Sequence, residues 1–153
     1  MDQHFDSRVD EARPDIIDWA HFERSRAELG TDFIRILGYF KEDGVKSVAQ
    51  IEQAMRDQMS AALVLPAHTL KGESQQLGAQ PLADIAEHIE TTARLCVETH
   101  RFCDELVPHV VALRRLFGET LAAFDKETNP VLTRAAPSGG FGRRASNQGF
   151  GRL

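Results

Sequence analysis

His68, Lys71 and Gly72 lie together in the stretch Ala67-His68-Thr69-Leu70-Lys71-Gly72-Glu73-Ser74-Gln75-Gln76-Leu77-Gly78-Ala79. On a helix of about 3.6 residues per turn, Leu63, Ala67, Leu70, Ser74 and Leu77 form a narrow stripe fit to face a core, and His68, Gly72 and Gln75 fall nearly opposite. His68 is therefore expected at the surface. There an imidazole of unperturbed pKa about 6.5 is largely neutral near pH 7 and keeps a lone pair on one ring nitrogen, a nucleophile that needs no separate base. Gly72, one turn further on, costs a helix interior about 1 kcal/mol relative to alanine. It gains no packing on that face, so the simplest reason for it is that another molecule must bring a reactive group up to the imidazole. Lys71, three residues from His68, adds a point charge within reach of the same group.

Each of these residues alone is weak testimony, because a solitary surface histidine or lysine usually does nothing. The weight rests on the combination, and on the helices that must present it. The Leu70, Leu77, Leu82 and Ile85 positions are core under any reading.

The chain has 153 residues, 42% of them hydrophobic and 27% charged, enough for one globular domain with a real core. No apolar run is long enough to span a bilayer, and Met1-Asp2-Gln3-His4-Phe5-Asp6 has neither the basic start nor the apolar centre of a secretory signal. A cytoplasmic protein is expected, and two cysteines, Cys96 and Cys103, agree with a reducing compartment. The net charge is −5, but from Thr128 onward there are four arginines and no acid, which leaves −9 on the preceding residues. An acidic body argues against a nucleic-acid binder.

Residues 1–14 are polar and read as a loose arm. Asp15 is a plausible N-cap for a short first helix to about Gly30, and Thr31 for a long amphipathic one to about Asp57 with Gly44 as a bend. A third helix runs from near Ser60 to Leu77 and stops at Gly78; Pro66 inside it should kink or loosen it. Pro81 opens a fourth, with Leu82, Ile85, Ala86, Ile89, Ala93 and Cys96 inward. A fifth begins near Asp104, with Leu106, Val110, Leu113, Phe117, Leu121 and Phe124 inward. The fold expected is all-α, an antiparallel up-down four-helix bundle preceded by a short N-terminal helix, spanning 15–127. From 128 to 153 the composition changes to a Gly- and Arg-containing tail with Phe-Gly-Arg at 141–143 and 150–152, too poor in core residues to fold alone.

Ala67-His68-Thr69-Leu70-Lys71-Gly72, followed by Leu77-Gly78-Ala79, Leu82 and Glu90, resembles the signature of histidine phosphotransfer (HPt) domains. The match is dense over 67–90, and the helical layout from 15 to 125 agrees in order and length. The resemblance implies a four-helix bundle that accepts a phosphoryl group on His68 and passes it to or from a receiver-domain aspartate. It implies Lys71 as the cation that neutralises the phosphoryl oxygens, Gly72 as the opening for the partner and Gln75 as a polar neighbour of the imidazole. Expected partners are response-regulator receiver domains and a sensor (hybrid) histidine kinase. The bundle would be a monomer with no cofactor of its own, magnesium coming from the receiver. Such a protein is a phosphotransfer intermediate rather than a turnover enzyme, and no kinase ATP-binding domain fits after 125. Glu73 departs from the small residue usual there and brings an acid into the motif.

Two other readings compete. One is a non-catalytic helical adaptor, the other a dimeric histidine-kinase-like phosphotransferase bundle. Cys96, His100 and Cys103, at i, i+4 and i+7, offer a weaker zinc-type spacing that lacks a fourth ligand. His21, His88 and His109 read as incidental.

Overall fold

The computed structural model describes residues 16–129, so the expectations for the 1–14 arm, for Asp15 and for the Phe-Gly-Arg tail fall outside the described residues. Within them the order is α1 (Trp19–Leu29), a 3-10 turn (Gly30–Asp32), α2 (Phe33–Arg56), α3 (Ala61–Gln76), α4 (Gln80–Glu98), a second 3-10 turn (Asp104–Leu106) and α5 (Val107–Thr128). The described chain is all-helical, a four-helix bundle with a short helix ahead of it. No helix among the described residues is long and apolar enough to cross a membrane. Contacts group the chain into two units, Met1–Thr120 and Leu121–Leu153, and the packing that follows lies within the first. In the second, the end of α5 closes with Thr128 Oγ1 donating to the Phe124 carbonyl at 2.8 Å.

The apolar periodicities settle which faces turn inward. Leu37, Phe40, Val48 and Ile51 of α2, Leu63, Ala67 and Leu70 of α3, Leu82, Ala86, Ile89 and Ala93 of α4, and Val110, Leu113 and Phe117 of α5 are buried together. Each large side chain so buried contributes roughly 1.5–3 kcal/mol of apolar transfer, which is what holds four amphipathic helices side by side. Gly44 is no bend. It lies inside an unbroken α2 because the Phe117 ring of α5 packs directly on its Cα, and a β-carbon there would collide with that ring.

The described helix starts show one side-chain cap and one expected cap that is not used. The N-cap of α1 is Asp18, whose carboxylate accepts from the His21 amide at 3.1 Å. Thr31 caps nothing, since it lies in the 3-10 turn and Asp32 precedes α2 without a side-chain cap bond. Pro66 does not end α3, which stays one helix from Ala61 to Gln76 with the proline ring buried.

The α3–α4 turn is braced from α1. Gly78 takes φ 84°, in the left-handed region that a glycine enters without a steric penalty, and its carbonyl accepts the Asp18 amide at 2.8 Å. Ser25 Oγ of α1 donates to the Gln76 carbonyl at 2.7 Å. The short first helix thus clamps the end of the helix that carries His68. T-shaped ring pairs extend the clamp, Trp19 on Phe22 at 5.0 Å and Phe22 on Phe33 at 5.2 Å.

Candidate functional site

The stripe predicted for α3 is borne out residue by residue: Leu63, Ala67, Leu70, Ser74 and Leu77 are fully buried. The opposite face follows from the helical period. His68 emerges in mid-helix with its side chain 56% exposed. Gly72 lies one turn beyond on the surface, and a β-carbon built on it would meet nothing within 4 Å. No packing constraint explains that glycine, so the bare patch beside the imidazole is a property of the surface itself.

The imidazole is not loose. Its Nδ1 lies 3.0 Å from Oε2 of Glu90, a residue of α4 whose side chain is only 7% exposed. The same carboxylate takes Lys71 Nζ at 3.0 Å on Oε1. Arg94, one turn along α4, donates to Oε2 from Nε at 3.0 Å and from Nη2 at 2.8 Å. Burial by itself would raise the Glu90 pKa, but the hydrogen bonds from Arg94, Lys71 and His68 outweigh it and hold it at about 2.

That depression fixes the histidine tautomer. An ionised carboxylate has no hydrogen to give, so at neutral pH the proton in the His68–Glu90 bond sits on Nδ1. In the neutral imidazole the lone pair is therefore on the other ring nitrogen, Nε2. The arrangement is a buried anion, neutralised by two cations, that orients an exposed imidazole.

The sequence residues distribute around this centre unequally. His68, Lys71 and Gly72 come together as the helical spacing required. Gln75 is exposed two turns along from His68, and among the described residues no hydrogen bond joins it to the imidazole. Glu73, expected to add a negative charge to the motif, instead turns toward α2. There it hydrogen-bonds Asp43, and its Oε1 is buried without a partner. Burial first, then the Asp43 carboxyl, raise its pKa to about 7, so much of its charge is absent at neutral pH.

Sequence reasoning quoted Glu90 but gave it no role, and it passed over Arg94. The available signal was an acid beside Ile89 on the inward stripe of α4 with an arginine four residues later, because a buried carboxylate must find cations. The zinc-type spacing is set aside: among the described residues no group of three or more His, Cys, Asp and Glu could hold a metal ion. Cys96 and Cys103 are buried, whereas His100 is exposed.

Neither the curated proteins nor the solved structures give a significant match to the chain. The family model described as Hpt domain does, over residues 35–127, which is the stretch from α2 through nearly all of α5. That span holds the four helices that build and brace the His68 face, and the chain belongs to the Hpt-domain family, whose domains carry phosphoryl groups on histidine in phosphorelays and work with receiver domains and histidine kinases.

Proposed function

We propose that His68 is the residue that carries the phosphoryl group, accepting it through Nε2 and exchanging it with the aspartate of a response-regulator receiver domain. The observation that carries this reading is the 3.0 Å contact between Nδ1 and the ionised Glu90, since it reserves Nδ1 for the proton of the neutral ring and so makes Nε2 the nucleophilic nitrogen. In the transfer, the Nε2 lone pair forms the N–P bond as the P–O bond to the receiver aspartate breaks, and the electron pair leaves with the carboxylate. No proton need move. Positioning and charge neutralisation do most of the work in such a transfer.

Lys71 is the local cation in this reading. Its Nζ, held on Glu90 before transfer, lies on the turn that follows His68 and can turn to the phosphoryl oxygens once they arrive. Gly72 keeps the approach open, and Gln75 borders it further along the helix. Leu65, 70% exposed one turn before His68, gives a docking partner an apolar contact on the same side. Magnesium falls to the receiver, because Glu90, the carboxylate at the imidazole, is already taken by Arg94 and Lys71. The protein would work in the cytoplasm, as a monomer, between a sensor (hybrid) histidine kinase with its receiver and a further response regulator.

The test is incubation with a phosphorylated receiver domain and magnesium, following acid-labile, base-stable label on wild type and on His68→Gln. Label on the wild type alone is the expected result. Label on both proteins would move the acceptor elsewhere, and none on either, from several receivers, would favour a non-catalytic adaptor.

A further inference from the structure

His88 and His109 take no part in the His68 site, yet the fold brings them together. His88 is exposed midway along α4, and His109 is half-buried in the first turn of α5. Their ring centroids lie 4.4 Å apart with the planes inclined at 43°. Rings that pack for their own sake prefer an offset-parallel or an edge-to-face arrangement, as Trp19 and Phe22 show at 77°. The tilt of the two imidazoles is neither.

A second observation concerns the inner ring. Nδ1 of His109 is buried with no hydrogen-bond partner. A buried polar atom nearly always has one, so packing alone does not account for a histidine at this position. A metal ion bound between the rings would be that partner. Imidazole nitrogens ligate zinc at about 2.0–2.1 Å, and two such rings on one ion at a right angle or slightly more have their centres roughly 4.5–5 Å apart. The observed spacing is close to what shared ligation requires, and both rings are carried on helices that hold them there.

We propose that His88 and His109 form a two-histidine site for a zinc-class divalent ion that pins the start of α5 to the middle of α4. Each ring gives one nitrogen lone pair to the ion, His109 through Nδ1. Among the described residues no group of three or more His, Cys, Asp and Glu converges on a metal position, so water completes the coordination, and the exposure of His88 leaves room for it. Neutral imidazole suits zinc, copper and nickel, whereas magnesium takes oxygen ligands and should not bind here. Two protein ligands add a clip to a bundle that folds by its apolar core; they do not make the fold depend on the metal. The inference uses no residue of the His68 site and stands apart from the function proposed for it.

The test titrates metal-free full-length protein with zinc chloride, followed by calorimetry, thermal melting and the imidazole signals in NMR spectra. One zinc per chain is expected, with a melting temperature higher by about 4 °C or more when free zinc exceeds its dissociation constant a hundredfold. The ring signals of His88 and His109 should move together while those of His68 stay in place. His88→Gln, a change at an exposed position, and His109→Gln should each abolish the rise and weaken zinc binding at least about tenfold, as loss of one of two ligands requires. Magnesium at the same concentration should change nothing. No rise in the wild type, a rise that survives either substitution, signals that move only at other histidines, or one zinc shared between two chains would each overturn the proposal, and the wild-type signals decide it without any variant having to fold.

Discussion

His68 Nδ1 and Glu90 Oε2 lie 3.0 Å apart across the α3–α4 seam, with the histidine side chain 56% exposed and the glutamate 7%. The pair divides its labour by depth: the group that meets a partner is outside, and the group that sets its proton is inside. Glu90→Gln keeps the shape but replaces an obligate acceptor with an amide that donates as readily as it accepts, so the tautomer is no longer fixed. Phosphoryl acceptance should fall about 10–100-fold, by analogy with the loss when the partner that orients a metal-bound histidine is removed. Nitrogen chemical shifts of the imidazole should show a mixture of tautomers. An unchanged rate with an unchanged tautomer would refute the orienting role.

The same carboxylate makes stability depend on acid. Its folded pKa, about 2, lies below the ordinary value of about 4.5, so its contribution is fully present above pH 4.5 and is lost as pH falls through 2. By linkage the difference amounts to roughly 3 kcal/mol at most. Urea melts between pH 6 and pH 2 should show wild type losing stability more steeply than Glu90→Gln, with the two curves converging at the acid end. Parallel curves would mean that the ion cluster adds nothing to the folded state.

Glu73 gives the opposite sign. Its folded pKa is raised to about 7, so the stability it allows is present in full below pH 4.5 and declines as pH rises toward 7, because the folded state resists giving up the proton. Glu73→Gln removes that resistance. The variant should match wild type at pH 4 and exceed it by about 1–2 kcal/mol at pH 8, the figure being discounted for partial exposure. Denaturant melts at the two pH values decide it, and equal stability at pH 8 would show that Asp43 and Glu73 do not share a proton.

The helix count, the inward stripes and the His68 face were legible because each is local: a period of 3.6 residues writes itself into the sequence. Glu90 and Arg94 were harder, since their meaning lies in a contact with a different helix, 22 residues from His68. Asp18 caps α1 and also gives its amide to the Gly78 carbonyl, a long-range contact that capping preference alone does not signal, and Thr31 lies within a 3-10 turn rather than ahead of α2. Glu73 was misjudged for the same reason. Its place next to Gly72 suggested charge at the site, whereas helical rotation carries it to Asp43.

The two glycines of interest, Gly72 and Gly44, should respond in opposite ways. Nothing lies within 4 Å of a β-carbon at Gly72, so Gly72→Leu should fold and gain up to about 1 kcal/mol from helix propensity. Phosphoryl transfer with a receiver should nonetheless slow at least about tenfold, as the leucine fills the approach to Nε2. At Gly44 a β-carbon strikes the Phe117 ring, so Gly44→Ala should cost about 1–3 kcal/mol in overpacking, despite the better helix former, and leave transfer by the folded protein unchanged. Adding Phe117→Leu should recover part of that loss, a non-additivity expected of residues in direct contact. If Gly72→Leu transfers at the wild-type rate, the bare face is not there for access; if Gly44→Ala is as stable as wild type, the close approach of α2 and α5 is not what selects the glycine.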